Sequence, residues 1–265
     1  MSVRTQILTD SEHTRLLREN PHLRASYNDW CPTCGKNNGP GKPGTYFWKG
    51  QTHECDCEAQ LRLHMLYLHA GIGTTYQRLS WEDYDGTSSV EGIIKYVDAH
   101  KAYIQRGMGL FFTGPFGSGK TMLANLALKD FVRLGYHCYA TTFASTIEMF
   151  TAGWKSAEEQ RHFQDRFVGS EILLLDDVGR ELLGSTKLSV TTFDNILRSR
   201  VQYGRPTFIT TNLDSDEVET GYGSAVLSLL REKSIVLPFD GEDFRNKANQ
   251  RERDEIKRGE VRPIQ

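Results

Sequence analysis

The sequence predicts an α/β fold, a parallel sheet flanked by helices around a phosphate-binding loop, preceded by a small zinc-ribbon-like domain. Three observations predict it. Gly114-Pro115-Phe116-Gly117-Ser118-Gly119-Lys120-Thr121 fits G-x-x-x-x-G-K-[ST], set between a short apolar run (Gly109 to Thr113) and a helical pattern opening at Thr121. Ile172-Leu173-Leu174-Leu175-Asp176-Asp177 is an apolar run that ends in two carboxylates, as a strand buried on both faces of a parallel sheet must read. Two cysteine pairs, Cys31-Pro32-Thr33-Cys34 and Cys55-Asp56-Cys57, stand ahead of both.

Length and composition bound the answer. The chain has 265 residues, 38% of them hydrophobic, enough for one large core and a small second domain. A net charge of −2 gives no global basic field, so any contact with nucleic acid must come from a local patch. No apolar run is long enough to span a membrane, and the polar N-terminus does not read as a signal peptide. The expectation is a cytoplasmic protein without a membrane partner, whose five cysteines are not structural disulfides.

In chain order, Ser11 to Arg18 reads as a short helix. The two cysteine pairs follow, separated by a Gly/Pro/Asn loop (Gly35 to Gly44) and the aromatic run Tyr46-Phe47-Trp48. That arrangement suits a tetrahedral Zn²⁺ site with Cys31, Cys34, Cys55 and Cys57 as ligands. The second pair has a one-residue gap, tighter than usual, which leaves His53 or His64 as a substitute for one thiolate. So small a segment has little core, and metal binding supplies its folding energy. Leu61 to Leu68 reads as a helix, broken at Gly71-Ile72-Gly73. The domains are expected at 1–72 (zinc-binding), 73–250 (nucleotide-binding) and 251–265 (a polar tail), the residues from Arg245 onward reading as a solvated helix or a frayed tail. Val90 to Arg106 reads as one amphipathic helix with Ile93, Ile94, Val97 and Tyr103 buried.

The central loop has a chemical reason for its spacing. Its glycines let the backbone wrap an anion with N–H groups pointing inward. Gly114, Pro115, Phe116, Gly117, Ser118, Gly119, Lys120 and Thr121 would hold the nucleotide, Lys120 reaching the β- and γ-phosphates and Thr121 ligating Mg²⁺. The helix from Thr121 to Leu134 turns its N-terminus to the phosphates. After a strand over residues 136–143, where Cys138 is a core residue, a helix opens at Ser145. Ile172 to Asp177 then reads as the Walker B strand, Asp176 holding Mg²⁺ and Asp177 orienting the attacking water. A helix follows from Leu188 to Tyr203. Pro206 to Asn212 is a further buried strand whose terminal Asn212 can reach the γ-phosphate or that water; a turn-forming Asn is the plainer alternative.

Taken in order, the loop, Asp176-Asp177-Val178-Gly179, Pro206 to Asn212 and Phe239-Asp240-Gly241-Glu242-Asp243-Phe244-Arg245 resemble the DnaC/DnaI-type replicative helicase loaders of the AAA+ class. The IstB-like transposition ATPases share the pattern, which covers roughly residues 75–250. A cysteine-rich segment ahead of the ATPase is similar to the DnaI-type loaders, whose N-terminal domain engages the helicase. The resemblance implies an ATPase using ATP and Mg²⁺, with a replicative helicase and single-stranded DNA as partners and a homo-oligomer when ATP or helicase is bound. It makes Asn212 sensor 1, Arg245 sensor 2 and Arg231 the arginine finger, although Ala225 and Leu229 stand where relatives carry further arginines; Arg198 and Arg200 are the fallback candidates, and an Arg231 paired with a nearby acid such as Glu232 or Asp243 is the plainer alternative. Trp154 and Lys155, with Ser185, Thr186 and Lys187 as a second patch, are the expected DNA contacts, an aromatic beside a cation suiting base stacking.

Other readings remain open on the sequence: an ATPase regulating a transposase, a zinc-ribbon binding module with a vestigial ATPase, and a small-molecule kinase. The kinase reading lacks an evident lid or second-substrate segment.

Overall fold

The computed structural model describes residues 31–36, 44–86, 90–153, 156–180, 182, 187–240 and 243–265. The helix expected over 11–18 lies outside them. The chain divides into two compact units: the residues up to Asp83 together with Phe244–Gln265, and Tyr84–Asp243. The boundary expected at residue 72 therefore falls at Asp83, and the expected tail belongs to the first unit.

In the first unit, strands β1 (Thr45–Trp48) and β2 (Gln51–Glu54) pair antiparallel, Trp48 opposite Gln51. Lys49 and Gly50 both take positive φ, 49° and 74°, the pattern of a two-residue turn whose twist matches a hairpin. Helix α1 (Cys57–His69) starts on the last cysteine, capped by the Asp56 carboxylate, which accepts from the Ala59 N–H. Tyr67 on α1 is fully buried. A one-turn helix, α2 (Thr74–Gln77), ends in buried Gln77.

The second unit opens with α3 (Val90–Asp98) and α4 (His100–Gln105), two helices where one was expected, parted at Ala99. Ile93 and Tyr96 are buried, but Ile94, expected on that face, is 41% exposed. Adjacent residues sit 100° apart on a helix, and the buried stripe runs from Ile93 to Tyr96. Next come β3 (Gly109–Thr113), α5 (Lys120–Arg133), β4 (Cys138–Thr142), α6 (Phe143–Gly153) and α7 (Ala157–Phe163). A π-helical turn over Gln164–Val168 continues α7 and stacks Phe163 on Phe167, centroids 4.3 Å apart. The unit is completed by β5 (Ile172–Val178), α8 (Lys187–Gln202), β6 (Thr207–Thr211), α9 (Ser215–Tyr222), α10 (Ser224–Lys233) and β7 (Ser234–Pro238).

These five strands form one parallel sheet in the order β4-β5-β6-β3-β7. Phe111, Phe143, Phe167, Leu173, Phe193 and Ile209 anchor one core cluster against it, each contributing about 1.5–3 kcal/mol on burial. The order matters for the site. β6 lies between β3, which feeds the central loop, and β5, which ends in the two carboxylates. Asn212, just past β6, is thereby delivered between them.

Helix α11 (Arg245–Lys257) and the residues after it return to the first unit. The segment is ordered against that unit by specific contacts. Ile264 is buried, and the Arg262 guanidinium pairs with Asp83 at 2.6 Å and Glu255 at 2.6 Å.

Candidate nucleotide site and metal centre

The loop between β3 and α5 is pressed between two side chains. A Cβ on Gly119 (φ +90°) would meet the Tyr84 ring at 2.5 Å, and one on Gly117 (φ +75°) would meet the Asp243 carboxylate at 2.0 Å. Both positions combine a left-handed backbone with close approach, so only glycine fits. Tyr84 also donates from its hydroxyl to the Ser118 carbonyl at 3.3 Å. Ser118 is buried and Phe116 is 64% exposed. Buried Lys120 donates from Nζ to the Gly114 and Pro115 carbonyls, each at 2.7 Å, and to Asn212 Oδ1 at 2.9 Å.

Asn212 passes the contact on. Its oxygen faces the lysine, so its Nδ2 is free to donate to Asp177 Oδ1 at 3.0 Å. Asp177 Oδ2 lies 3.6 Å from the Arg180 guanidinium. Thr121 Oγ1 donates to Asp176 Oδ1 at 2.8 Å, as does Thr210 Oγ1 at 2.6 Å. The Thr210 hydroxyl accepts from the Asp177 N–H at 2.9 Å. Burial pushes the Asp176 carboxyl above its ordinary value, against the pull of the hydrogen bonds from Thr210 and Thr121. A half-buried carboxylate raised in this way is a site where a cation is favourable.

Consecutive residues of a regular strand point to opposite faces, yet Asp176 and Asp177 both reach toward the loop and β6. The backbone explains this. β5 loses register with β6 between Leu175 and Val178, and Asp177 takes φ +57°, rare for a non-glycine residue.

The remaining expected site residues lie on other elements or outside the described residues. Arg231 is exposed on α10 and makes no hydrogen bond or ion pair among the described residues. Glu232, its neighbour, pairs with Lys233 at 3.0 Å. Arg245 opens α11, in the first unit. Lys187 is exposed as the first residue of α8. Trp154, Lys155, Ser185 and Thr186 lie outside the described residues.

Three contributors were missed. Thr210 had a usable signal, because residues two apart in a strand share a face and Thr210 therefore accompanies Asn212. Tyr84 and Arg180 had none; each acts through a tertiary contact.

In the first unit the sulfurs of Cys31, Cys34, Cys55 and Cys57 all lie within 4.8 Å of one another, with Cys31–Cys55 and Cys34–Cys57 each 3.6 Å apart. A tetrahedron of sulfurs about 2.3 Å from a central Zn²⁺ has edges of about 3.8 Å, so the spacing suits that ion. None of the four is in a disulfide. Burial, then the hydrogen bond with Cys31, pushes the Cys55 thiol up. The histidine alternatives point elsewhere. His64 Nδ1 pairs with Gln77 Oε1 at 2.7 Å, and His53 Nε2 lies 3.1 Å from the Trp48 carbonyl.

A family model described as IstB-like ATP binding protein matches residues 60–252. Among solved structures, the DnaC helicase loader is similar with a TM-score of 0.55 and 23% identity, over 63% of this chain and 100% of that chain. DnaI is similar with a TM-score of 0.54 and 19% identity, over 63% and 94%. Domain III of the Thermotoga maritima replication initiation protein DnaA gives 0.53 and 16%, over 70% and 75%. At these identities the likeness is one of fold, and the fold is that of an AAA+ P-loop protein. No curated protein matches the chain.

Proposed function

Because the chain belongs to the family of IstB-like ATP-binding proteins, we propose that it is an ATP-hydrolysing switch that loads a replicative hexameric helicase onto single-stranded DNA. The observation that carries the ATPase reading is the continuous path Lys120–Asn212–Asp177 beside the Thr121–Asp176 pair. The residues fit a nucleotide with its metal: glycines shaped for close approach, a lysine at their centre, and a hydroxyl with a half-buried carboxylate as hard oxygen ligands. Lys120 binds the β- and γ-phosphates. Thr121 and Asp176 hold Mg²⁺, which when bound neutralises phosphate charge. Asp177 orients the attacking water, and Asn212 fixes the Asp177 carboxylate relative to Lys120. Arg231 serves a neighbouring subunit as the arginine finger, and Arg245 is the sensor 2 residue. The first unit holds Zn²⁺ through its four cysteines and engages the helicase. Trp154, Lys155, Ser185 and Lys187 contact DNA.

The partner assignment is supported by the cysteine-rich segment ahead of the ATPase and by the fold shared with the DnaC helicase loader. The family description favours one competitor, an ATPase that regulates a transposase. Affinity capture with the full chain and ATP separates the two: recovery of a hexameric helicase supports the loader, and recovery of a transposase alone replaces it. Turnover tests the chemistry. Lys120→Ala is expected to abolish nucleotide binding. Asp177→Asn is expected to bind ATP as the wild type does and to hydrolyse it at least tenfold more slowly. Equal hydrolysis by Asp177→Asn and wild type removes the role given to Asp177.

A further inference from the structure

The segment Val261-Arg262-Pro263-Ile264-Gln265 lies against the first unit in the manner of a bound peptide. Its backbone is read at successive positions. The Val261 N–H donates to the Phe47 carbonyl at 2.8 Å and the Gln265 N–H to the Gln77 carbonyl at 3.0 Å. Gln60 reads Ile264 in both directions: Oε1 accepts from the Ile264 N–H at 2.6 Å, and Nε2 donates to the Ile264 carbonyl at 3.1 Å. The Tyr67 hydroxyl donates to the Gln265 carbonyl at 2.7 Å, and Arg78 donates to the Arg262 carbonyl.

Two side chains add selectivity. Ile264 is 4% exposed. Arg262 lies over the Trp48 ring, 5.1 Å from its centroid, while its guanidinium meets Asp83 and Glu255. The seat is joined to the cysteine cluster by two contacts. Thr33, between the first two cysteines, donates to Gln60 Oε1 at 2.5 Å, and Arg78 also donates to the Pro32 carbonyl at 2.5 Å.

Backbone hydrogen bonds for affinity with anchored alternate side chains for specificity is how domains recognise extended peptides. We propose that the first unit carries a peptide-recognition site for an extended Arg-Pro-Ile-Gln segment, and that residues 261–265 are its resident ligand, replaceable by the same segment supplied as a separate molecule. Covalent attachment gives the resident segment an effective concentration in the millimolar range, so a competing peptide is seen only when that segment is removed. The inference does not depend on the ATPase reading.

The test uses a chain stopped after Glu260 and a fluorescent peptide of residues 258–265. Saturable binding is expected. Peptides carrying Ile264→Ala or Arg262→Ala are expected to bind at least tenfold more weakly, and a scrambled peptide not at all. If the shortened chain is poorly folded, excess wild-type peptide is expected to raise its melting temperature, because a ligand of the native state stabilises it. No binding by a folded shortened chain overturns the proposal. So does equal binding of the wild-type and Ile264→Ala peptides, or an unfolded shortened chain that the peptide does not restore.

Discussion

Asp177 and Arg200 show how much single positions do here. Asp177 is held in a left-handed conformation at φ +57° within an irregular stretch of β5. Such a conformation costs on the order of 1 kcal/mol or more and persists where surrounding contacts over-determine it. The Thr210 hydroxyl on its N–H and the Asn212 amide on its carboxylate supply those contacts. Arg200 illustrates the opposite case, a charged residue with a structural task. It is fully buried, which rules out its use as an alternative arginine finger. Its guanidinium donates to the Phe167, Ser170, Glu171 and Pro206 carbonyls and to the Thr207 hydroxyl. Burial, followed by the nearby Arg205 charge, pushes its pKa down to about 9, so it stays charged at neutral pH. Arg200→Ala strands those acceptors in the interior. The expected loss is about 3–5 kcal/mol in the denaturant-unfolding free energy of the second unit. Arg198→Ala, two residues away, removes only an exposed pair with Asp194 and is expected to leave the unfolding midpoint nearly unchanged. Comparable losses in the two variants would show that Arg200 is not the anchor its contacts suggest.

At the scale of elements, legibility followed the physical origin of each signal. The central loop was readable because phosphate binding dictates both residue type and spacing. β5 was readable because a strand buried on both faces reads as an apolar run, β6 because β-branched and aromatic residues gather between Pro206 and Asn212, and the cysteine pairs because a tetrahedral ion needs four ligands. β7 was missed. Its apolar run, Ile235-Val236-Leu237, is only three residues long and follows directly on α10, and so short a run does not by itself declare a strand. The residues from Arg245 read as a solvated helix or a frayed tail, and α11 is that helix, exposed along most of its length; what the sequence does not show is that residues 261–265 are anchored by hydrogen bonds to Gln60, Tyr67 and Gln77. Contacts of that kind leave no periodicity in a sequence. They also couple the cysteine cluster to the rest of the first unit. β2 leads directly into Cys55, α1 begins at Cys57, and both Phe47 and Gln60 receive the returning segment. One equivalent of zinc is expected in freshly prepared, reduced protein. Its removal by a chelator is expected to expose the amides of Val261, Ile264 and Gln265 to hydrogen exchange, while those of β3, β5 and β6 keep their protection. Unchanged exchange at all three amides after verified metal loss would separate the metal from the folding of this unit.

At the scale of the whole molecule, the proposed hydrolysis asks for a cation beyond Lys120. With Lys120 proposed to meet the phosphates and Thr121 and Asp176 to hold the metal, charge developing on the transferred phosphoryl group calls for a further positive group. An arginine finger commonly supplies it, with a gain of about 10³–10⁵ in rate. Arg231 has the properties of a residue delivered to a neighbour. It is exposed, carries no ion pair or hydrogen bond among the described residues, and stands on α10, whose other face buries Val226, Leu227 and Leu230. That packing fixes the helix, so the arginine is presented on a firm element. The plainer reading, an ion pair with Glu232 or Asp243, is not what the structure contains among the described residues, and Glu232 meets Lys233. Arg198 is already committed to Asp194. Hydrolysis is therefore expected to depend on contact between subunits, with the rate per subunit rising with protein concentration or on addition of the helicase. Arg231→Ala is expected to keep nucleotide affinity and to lose turnover by roughly 10³-fold or more. Mixing gives the decisive reading. Lys120→Ala subunits retain Arg231, and Arg231→Ala subunits retain an intact loop, so the mixture is expected to recover activity that neither variant shows alone. Full turnover by Arg231→Ala alone, or a mixture no more active than its components, would place the missing cation elsewhere.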